Sequence, residues 1–544
     1  MKRTQGRRSS KMIFERLAKG SGLLVKFVFR REWLALAIWT VGLLGFAVAV
    51  PVAFNQMYDT EEARQGMAVA MGNPAMVAMV GDSTALDDYT VGAMNVHMML
   101  VFMAIAIAVM NIFFVVKYTR RDEELGREEV LRSLPVGHLA GLSAVLIVAL
   151  VVNLVIGALI GVGLSVLGIE SIDWAGSILY GMGIAAVGLV FAGVAAVAAQ
   201  LCQTARGAIG MSMIFLIGSY LMRAAGDMNS EVLARMSPLG LVLRTEAAVG
   251  NYWWPIWVLL GIAAVLVVKA FWLNAIRDMD QGFIPAKPGR ARASGLLVRP
   301  IGLSLRLMRW MMIAWLVGLM LLGASYGSVL GDTESFADTI AQMTGGVAEG
   351  EDVARAFVSV LMLIMAVFAC VPCLIMLLKV RGEEKRGRLE MILAGAVSRG
   401  KVIRSYLVPT LVFSFVSVMM AIVGLWGAGM ATMEEPIVFG EIFRAVMVYM
   451  PAIWVMIGIG ILLVGVAPKK AGFAWIFLLF AFFVSYFGGM MGLPEWTSRL
   501  TPFGWAPEVM MGESVSFLPL MVTAVVAVGL ITVGVLTYRR REMV

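Results

Sequence analysis

Histidine and cysteine are scarce in this chain, whose 544 residues include two histidines and three cysteines. Three cysteines do not form the paired framework of a disulfide-rich protein, and the two histidines are not part of a zinc motif. Cys370 and Cys373 form a Cys-Val-Pro-Cys sequence inside a long apolar run. Because a dry environment disfavours a reactive thiolate, we interpret them as small packing residues and not as a redox pair.

Motifs for nucleotide hydrolysis and nucleophilic catalysis are also absent. The chain has no G-x-x-x-x-G-K-[ST] phosphate loop, so we predict that it is not an enzyme by itself and holds no cofactor or metal. Its apolar runs carry no aspartate or glutamate near their centres, whereas proton- or sodium-driven carriers usually need such groups. Active transport would therefore take its energy from a partner. Asn111 and Asn153, which do lie in the apolar runs, are predicted to bond neighbouring helices.

Charged residues make up only 15% of the chain and hydrophobic residues 60%, which is typical of an integral membrane protein. Twelve apolar segments reach the length of about 20 residues that a bilayer-crossing helix needs. Lysine and arginine fall in alternate loops, which predicts both termini in the cytoplasm. We interpret the net charge of +8 as topology and not as nucleic-acid binding. The predicted spans are about 33–53, 93–117, 139–167, 178–200, 208–224, 254–274, 310–330, 355–379, 402–428, 443–466, 472–492 and 517–537.

Two basic stretches lie outside these spans. Residues 1–32 interleave basic and apolar side chains, which predicts an amphipathic segment at the cytoplasmic face of the membrane. Residues 276–309 form a polar cytoplasmic linker that is too short to be a domain. The rest of the chain divides into two six-span halves, 33–275 and 310–544.

A charged segment of the first half returns in register in the second half. We name residues 120–138 (RRDEELGREEVLRSLPVGH) the first charged segment and residues 381–399 (RGEEKRGRLEMILAGAVSR) the second charged segment. An offset of 261 residues aligns them without a gap. The aligned identities that we take as candidate functional residues are Arg120, Glu123, Gly126, Arg127 and Glu129 in the first segment, and Arg381, Glu384, Gly387, Arg388 and Glu390 in the second.

Charge places these segments outside the hydrocarbon, because each charge at a bilayer centre costs about 2.5–3.5 kcal/mol. Glu123 and Arg127, like Glu384 and Arg388, are spaced i, i+4, which predicts helix-supporting ion pairs. The predicted charged helices span 120–137 and 381–398, and the second has an apolar face of Leu389, Ile392, Leu393 and Ala396.

The duplication extends beyond the charged segments. Residues 277–279 (Arg-Asp-Met) return as 541–543 (Arg-Glu-Met), and the sequences RMSPLG and RLTPFG stand before the last span of each half. An even number of spans keeps the two halves in the same orientation, which is a parallel pseudo-repeat about an axis along the membrane normal. This arrangement predicts a central pathway between the halves.

Charged helices between spans 2 and 3 and between spans 8 and 9, in a chain without an ATPase domain, resemble the coupling helices of ABC exporter permeases. The motif shared by both segments is R-x-x-E-x-x-G-R-x-E, and the linker reads RDMDQGFIPAKPGRARAS. Nearly the whole chain resembles the fused twelve-span permeases of actinobacterial polyketide-antibiotic and tetronasin-resistance exporters. The resemblance implies an all-α, ABCG-like type II exporter fold, in which each half has an interfacial helix, six spans, a coupling helix and a re-entrant outer segment near Pro238 or Pro502. The second interfacial helix would lie within 276–309.

The resemblance also implies a function and partners. The chain would be the plasma-membrane permease of an ATP-driven exporter, bound to two copies of a separate ATP-binding subunit that hold ATP and magnesium. These subunits would push on the ten candidate residues and drive hydrophobic or amphiphilic, drug-like compounds outward along spans 2, 5, 8 and 11. Unequal docking of the two subunits is a hypothesis, because the two segments differ at Glu128 and Leu389, Arg132 and Leu393, and Pro135 and Ala396.

Two alternatives stay open at this point. A proton-coupled carrier of the major-facilitator type also has twelve spans in two halves, but the loop between its spans 2 and 3 is short and it usually needs carboxylates within the membrane. A membrane-embedded enzyme or scaffold is the third interpretation, and no cluster of histidines or carboxylates supports catalysis on either side of the bilayer.

Overall fold

The computed structural model describes residues 19–541 except 73, 134, 279–280, 286–291, 329, 331–350, 396, 434–435, 488–493, 508 and 512–515. This part of the chain is α-helical, without β-strands and with one isolated bridge between Cys202 and Ile284. The helices are α1 Ser21–Met57, α2 Glu61–Met71, α3 Pro74–Val80, α4 Val91–Tyr118, α5 Arg120–Glu124, α6 Arg127–Arg132, α7 Ala140–Ser165, α8 Trp174–Leu201, α9 Ala205–Asn229, α10 Glu231–Met236, α11 Pro238–Leu243, α12 Trp254–Ile276, α13 Pro300–Gly327, α14 Glu351–Glu384, α15 Arg388–Leu393, α16 Arg399–Thr432, α17 Phe439–Met447, α18 Met450–Val466, α19 Phe473–Phe487, α20 Glu495–Arg499 and α21 Phe517–Arg540.

Eleven helical segments in the described part of the chain are long and apolar enough to cross a membrane, with α17 and α18 together forming one of them. They correspond to eleven of the twelve predicted spans. The exception is the span predicted at 472–492, where α19 is an apolar helix of 15 residues and residues 488–493 lie outside the described part. The protein is a multi-pass membrane protein, and its twelfth span stays a prediction.

The first helix of each half begins earlier than its predicted span. α1 has 37 residues, and at 1.5 Å per residue it is about 55 Å long, well beyond the ~30 Å of the bilayer core. The amphipathic stretch from Ser21 to Glu32 is therefore part of α1 and not a separate interfacial helix, and residues 1–18 lie outside the described part. The second interfacial helix is likewise the start of α13, after a 3₁₀ turn at Gly295–Val298.

The chain divides into two compact units, Met1–Gly289 and Arg290–Val544. In the first unit α8 is central, because it packs against α4, α7, α9 and α12 and nearly all of it is buried. Its many glycines and alanines let neighbouring helices approach closely. The closest crossing is with α7, where a Cβ on Gly181 would lie 2.1 Å from the carbonyl oxygen of Gly157.

Two asparagines join α4 to α7 inside the first unit. Asn111 Nδ2 donates to Asn153 Oδ1 at 2.9 Å, and Asn153 Nδ2 donates to Asn111 Oδ1 at 2.8 Å. Both residues are fully buried, and each also donates to a carbonyl one turn earlier in its own helix. The prediction that these residues bond neighbouring helices is confirmed.

The second unit has a separate core built on α14, α16 and the α17–α18 pair. α16 packs along α13, where a Cβ on Gly323 or Gly424 would lie 2.0 Å from the facing backbone. α18 packs along α21. Cys370 and Cys373 lie on α14, where both are free and fully buried, as expected for packing residues.

Short helices precede the last span of each unit, where RMSPLG and RLTPFG occur. α10 and α11 meet at Ser237, whose hydroxyl accepts a hydrogen bond from the Gly240 amide at 3.3 Å. In the second unit α20 is followed by a 3₁₀ turn, where the Thr501 hydroxyl accepts from the Gly504 amide at 3.2 Å. In each unit the helix is therefore interrupted at the corresponding sequence. The expectation that these outer segments re-enter the membrane stays a prediction.

Candidate functional site

Each charged segment turns at a glycine. Gly126 and Gly387 both have φ of +67°, a left-handed conformation that costs other residues roughly 1–2 kcal/mol. α5 ends before Gly126 and α6 begins after it, while α14 ends at Glu384 and α15 begins after Gly387. The predicted continuous helices at 120–137 and 381–398 are therefore wrong, because each segment consists of short helical pieces on either side of a glycine turn.

Replacement of Gly387 by alanine tests this turn. A Cβ there would meet no atom within 4 Å, so the expected loss of about 1 kcal/mol in unfolding free energy comes from backbone strain alone. Gly382→Ala is the matched control, because it makes the same chemical change in equally open space on α14, where alanine favours the helix. Thermal unfolding of the two purified variants should show a lower melting temperature only for Gly387→Ala, and equal values would contradict the strain.

The glycine turns also change the predicted ion pairs. Arg127 pairs with Asp122 at 2.6 Å and Arg388 pairs with Glu383 at 3.1 Å. Asp122 and Glu383 occupy equivalent positions in the two segments, one residue before the carboxylates that the i, i+4 spacing predicts. That spacing brings side chains together only on a continuous helix, so the predicted Glu123–Arg127 and Glu384–Arg388 pairs are wrong.

Glu123 instead lies inside the first unit between two arginines. Its carboxylate is 2.9 Å from Arg120 and 2.8 Å from Arg277, and these three side chains are at most 5% exposed. Arg277 directly follows α12, the last span of the unit. The first charged segment is therefore joined through a buried ion pair to the end of the last span.

Glu384 makes the equivalent connection in the second unit. Its carboxylate accepts a hydrogen bond from Arg541, which directly follows α21. The Glu384 side chain is 8% exposed and that of Arg541 is 15% exposed. The repeat of residues 277–279 as 541–543 thus supplies, in each unit, the arginine that holds the buried carboxylate of the charged segment.

The first arginine of each segment also contacts its own unit at an equivalent place. This place is the connection between the fourth and fifth spans of the unit. Arg120 donates to the carbonyl of Gln203 through Nε at 2.9 Å and Nη2 at 2.7 Å. Arg381 Nη2 donates to the carbonyl of Lys469 at 3.2 Å. Beside Gln203, burial raises the pKa of the Cys202 thiol and the nearby charge of Arg120 partly opposes this shift, so the thiol stays protonated at neutral pH.

The candidate residues therefore fall into two groups. Arg120, Glu123 and Glu384 point inward, whereas Arg127, Glu129, Arg388 and Glu390 are exposed. Arg381 and both glycines are half-buried. The prediction that all ten face a partner thus needs correction for the inward group, which the structure uses to fix each segment to its own unit.

The exposed side of the segments also carries apolar side chains. Val130 on α6 is 68% exposed and Met391 on α15 is 73% exposed, and the offset of 261 makes these positions equivalent. On the inner side of α15, Leu389 is fully buried, while Ile392 and Leu393 pack on the core of the second unit. The predicted apolar face of the second segment is confirmed for these three residues, and Ala396 lies outside the described part.

A buried charge cluster at the opposite end of the first unit was not predicted from the sequence. Arg223 and Asp227 on α9 are 3.4 Å apart with side chains 0% and 2% exposed, and Arg244 lies 3.1 Å from Asp227. Arg223 also donates to the carbonyls of Ala78 and Met79 at 3.0 and 2.9 Å. The cluster fixes α3 to α9, and no histidine, cysteine or carboxylate group suited to a metal occurs among the described residues.

Helices α4, α9, α14 and α19 correspond to predicted spans 2, 5, 8 and 11. Their assignment as the lining of a substrate pathway stays a prediction. Within each unit they contact their neighbours mainly through apolar side chains of the core.

Comparison with known proteins shows which family the chain resembles. A family model described as the C-terminal domain of the multidrug efflux system permease Rv1217c matches residues 24–273 and 297–539, one stretch in each unit. The multidrug efflux system permease protein Rv1217c of Mycobacterium tuberculosis is 32% identical over 541 residues, which cover 96% of each chain. The similarity thus spans both charged segments and all the spans described above.

Proposed function

The chain belongs to the family of the multidrug efflux system permease Rv1217c, and on this premise we propose that it is the membrane-spanning subunit of an ATP-driven multidrug exporter. It is an efflux permease of the ABC type. The absence of a phosphate loop from its sequence supports the proposal that a separate subunit hydrolyses ATP. This family membership favours the exporter over the major-facilitator carrier.

One observation carries the coupling role: the two charged segments have the same construction in both units. Each has a glycine turn, an inward carboxylate held by the arginine after the last span, and an outward apolar residue on a charged surface. A single exposed apolar side chain is common on a protein surface, so the docking role is inferred from its recurrence at equivalent positions of the two segments. We therefore assign Val130 and Met391, with Arg127, Glu129, Arg388 and Glu390 around them, as docking surfaces for two copies of the ATP-binding subunit.

The inward ion pairs give the docking surfaces a mechanical connection to the spans. When an ATP-binding subunit pushes on the first charged segment, the Glu123–Arg277 pair transmits the force to the end of α12, and Arg120 transmits it to the connection between α8 and α9. Glu384, Arg541 and Arg381 do the same in the second unit. Because a buried ion pair resists separation, the segment and the last span move together.

The exported compounds are hydrophobic or amphiphilic and drug-like, and α4, α9, α14 and α19 line their path. The fold is a fused twelve-span, ABCG-like type II exporter domain in the plasma membrane, with both termini in the cytoplasm. The lysines and arginines of the loops that carry the segments support this orientation, because membrane topology follows these residues and not the net charge of a loop.

The double variant Val130→Glu, Met391→Glu tests the docking surfaces. Both side chains are mostly exposed, so folding and thermal stability should be unchanged. We expect the protein purified from its native membranes to lose a stoichiometric partner that carries a phosphate loop, together with vanadate-sensitive ATPase activity. Loss of at least about tenfold is expected, because a buried charge at an interface costs several kcal/mol.

Val232→Glu is the matched control. Val232 is 69% exposed on α10, a helix of six residues like α6, at the opposite end of the first unit. This variant should keep the partner and the ATPase activity. Retention of both by the double variant would reject the docking surfaces, and proton-driven transport by the protein without any ATP-binding partner would reject the exporter.

A further inference from the structure

The two charged segments differ in how they contact the start of the fifth span of their units. In the first unit Glu124 is the last residue of α5, and its Oε1 accepts a hydrogen bond from the backbone amide of Ala205 at 2.8 Å. Ala205 is the first residue of α9, a helix of 25 residues. The first amides of a helix have no partner within it, so Glu124 supplies an acceptor to one of them. Its negative charge is also favourable at the positive end of the helix.

Further hydrogen bonds hold the connection between α8 and α9 in place. Arg120, one turn before Glu124 on α5, donates two of them to the carbonyl of Gln203. The amide of Ile284, in the linker, donates to the carbonyl of Leu201 at 2.8 Å. A displacement of α5 would therefore have to break several hydrogen bonds before it left the start of α9 behind.

The second charged segment has a lysine where the first has this carboxylate. The offset of 261 that aligns the two segments places Lys385 at the position of Glu124. An ammonium group has only donors, so it cannot accept a hydrogen bond from an amide. Lys385 is exposed, and no hydrogen bond or ion pair joins its side chain to another residue of the described part of the chain.

The amide at the equivalent place in the second unit also has a partner already. Ala205 and Ala471 correspond, because each lies two residues after the carbonyl that the first arginine of the segment binds. Ala471 is buried, and its amide donates to the carbonyl of Pro468 at 3.4 Å, within the turn that precedes α19. The start of α19 therefore offers this amide to its own turn and not to the second charged segment.

We propose that Glu124 is a positioning residue that couples the first charged segment to α9, and that the second segment lacks this coupling to α19. The coupling rests on the proposed function, in which α9 and α19 line the path of the exported compounds. In the first unit a push on the segment reaches α12 through Glu123 and α9 through Glu124. In the second unit it reaches α21 through Glu384, and the connection before α19 is held by the hydrogen bond from Arg381. Two identical ATP-binding subunits thus act unequally on the path, even if they dock equally.

A carboxylate that only caps α9 would make the same hydrogen bond, so the two roles must be separated by their response to nucleotide. Loss of a cap weakens the start of one helix whether or not a partner is bound. Loss of a coupling contact removes the movement of α9 that ATP binding causes, and leaves the movement of α12 intact. Coupling between sites is carried by such physical contacts.

Spin labels on α9 and α12 measure these two movements separately. Ile214 on α9 and Val265 on α12 are 73% and 67% exposed, so a labelled cysteine at either position should not disturb the packing. The three native cysteines are buried. The full chain, purified with its ATP-binding partner and reconstituted in lipid vesicles, is compared without nucleotide and after trapping with ATP and vanadate. Both labels should respond when the rest of the chain is unchanged.

In Glu124→Met we expect the label at position 214 to lose its response and the label at position 265 to keep it. Glu124→Lys, which copies the second segment, should give the same result. Glu124→Gln keeps an acceptor oxygen and should restore the response of α9. Lys385→Met is the matched control, because it places the same side chain at the equivalent position of the second unit, and it should leave both responses unchanged.

An α9 label that responds in Glu124→Met as it does in the unchanged chain would overturn the proposal. So would an α9 label that does not respond in the unchanged chain, or loss of both responses in Glu124→Met. If Glu124→Met lost its partner subunit, the residue would act in docking and the coupling role would be rejected. Failure of the unchanged chain to co-purify with an ATP-binding partner would reject the proposed function itself, and the coupling with it.

Discussion

The Glu123→Gln variant is expected to lose on the order of 10 °C in melting temperature, because removal of one partner from a buried ion pair costs roughly 3–5 kcal/mol. Glu123 lies between Arg120 and Arg277, whose side chains are 1% and 5% exposed. Glutamine keeps the shape of the side chain but removes the negative charge that Arg120 and Arg277 share in this buried site. Thermal unfolding of the purified variant in detergent measures the effect.

Glu384→Gln is the matched control in the same molecule. Glu384 occupies the equivalent position, but among the described residues its ion-pair partner is Arg541 alone, whose side chain is 15% exposed and nearer to solvent. The expected loss is about 1–3 kcal/mol, since one charged hydrogen bond is removed. The double variant Glu123→Gln, Arg277→Gln should recover part of the stability lost by Glu123→Gln. Equal melting temperatures for the two single variants would contradict the structure around Glu123.

The connection between segment and last span was partly visible in the sequence. The charged segments and residues 277–279 and 541–543 could each be recognised as repeats. Their contact could not be recognised, because Glu123 and Arg277 are separated by 154 positions and Glu384 and Arg541 by 157. Hydropathy and periodicity describe local structure, whereas this pairing depends on how α12 and α21 pack within their units.

The glycine turns were missed for a different reason. Residues 388–393 have helical periodicity and do form α15, and the i, i+4 charges suggested that the helix begins several residues earlier. A glycine among charges often ends a helix in a left-handed conformation, and this signal at Gly126 and Gly387 was more informative than the charge spacing. The ion pairs followed the turn, so Asp122 and Glu383 replaced the predicted carboxylates.

The spans were predicted well at their apolar centres and poorly at their ends. The predicted fifth span stopped at residue 224, whereas α9 continues to Asn229 and thereby brings Asp227 into the buried cluster with Arg223. A hydropathy criterion removes charged residues from the end of a span. It therefore overlooks the charges that the protein buries by pairing them.

Arg223→Met is expected to be the second strongly destabilising variant, with a loss of about 3–5 kcal/mol. The Arg223 side chain is fully buried, and its guanidinium donates to the carbonyls of Val77, Ala78 and Met79. These carbonyls belong to the last turn of α3, where the helix has few amides left to bond them. The Val77 carbonyl also accepts from the Gly81 amide at 2.9 Å, and the Met79 carbonyl from the Tyr220 hydroxyl at 2.9 Å. A cation at that position also interacts favourably with the negative end of the helix.

The loss of Arg223 should first destabilise the segment around α3. Without Arg223, Asp227 keeps Arg244, and the carbonyl of Ala78 loses its side-chain donor. The carbonyls of Val77 and Met79 lose one of two donors, because the Gly81 amide and the Tyr220 hydroxyl still bond them. Because α3 is a short helix fixed mainly from one side, residues 59–90 should exchange amide hydrogens faster than the spans do. Hydrogen exchange read by mass spectrometry, together with the melting temperature, measures both the local and the overall effect.

Arg235→Met separates burial from charge, because it removes an arginine from an ion pair that is exposed. Arg235 pairs with Glu231 at 2.6 Å with the same i, i+4 spacing as Arg223 and Asp227, but the two side chains are 50% and 56% exposed. Water solvates an exposed charge that loses its partner, so the expected change is within about 1 kcal/mol. Equal melting temperatures of Arg223→Met and Arg235→Met, with residues 59–90 still protected from hydrogen exchange in Arg223→Met, would show that the cluster does not hold α3 to α9. A large loss confined to Arg223→Met would show that the strength of this contact comes from burial.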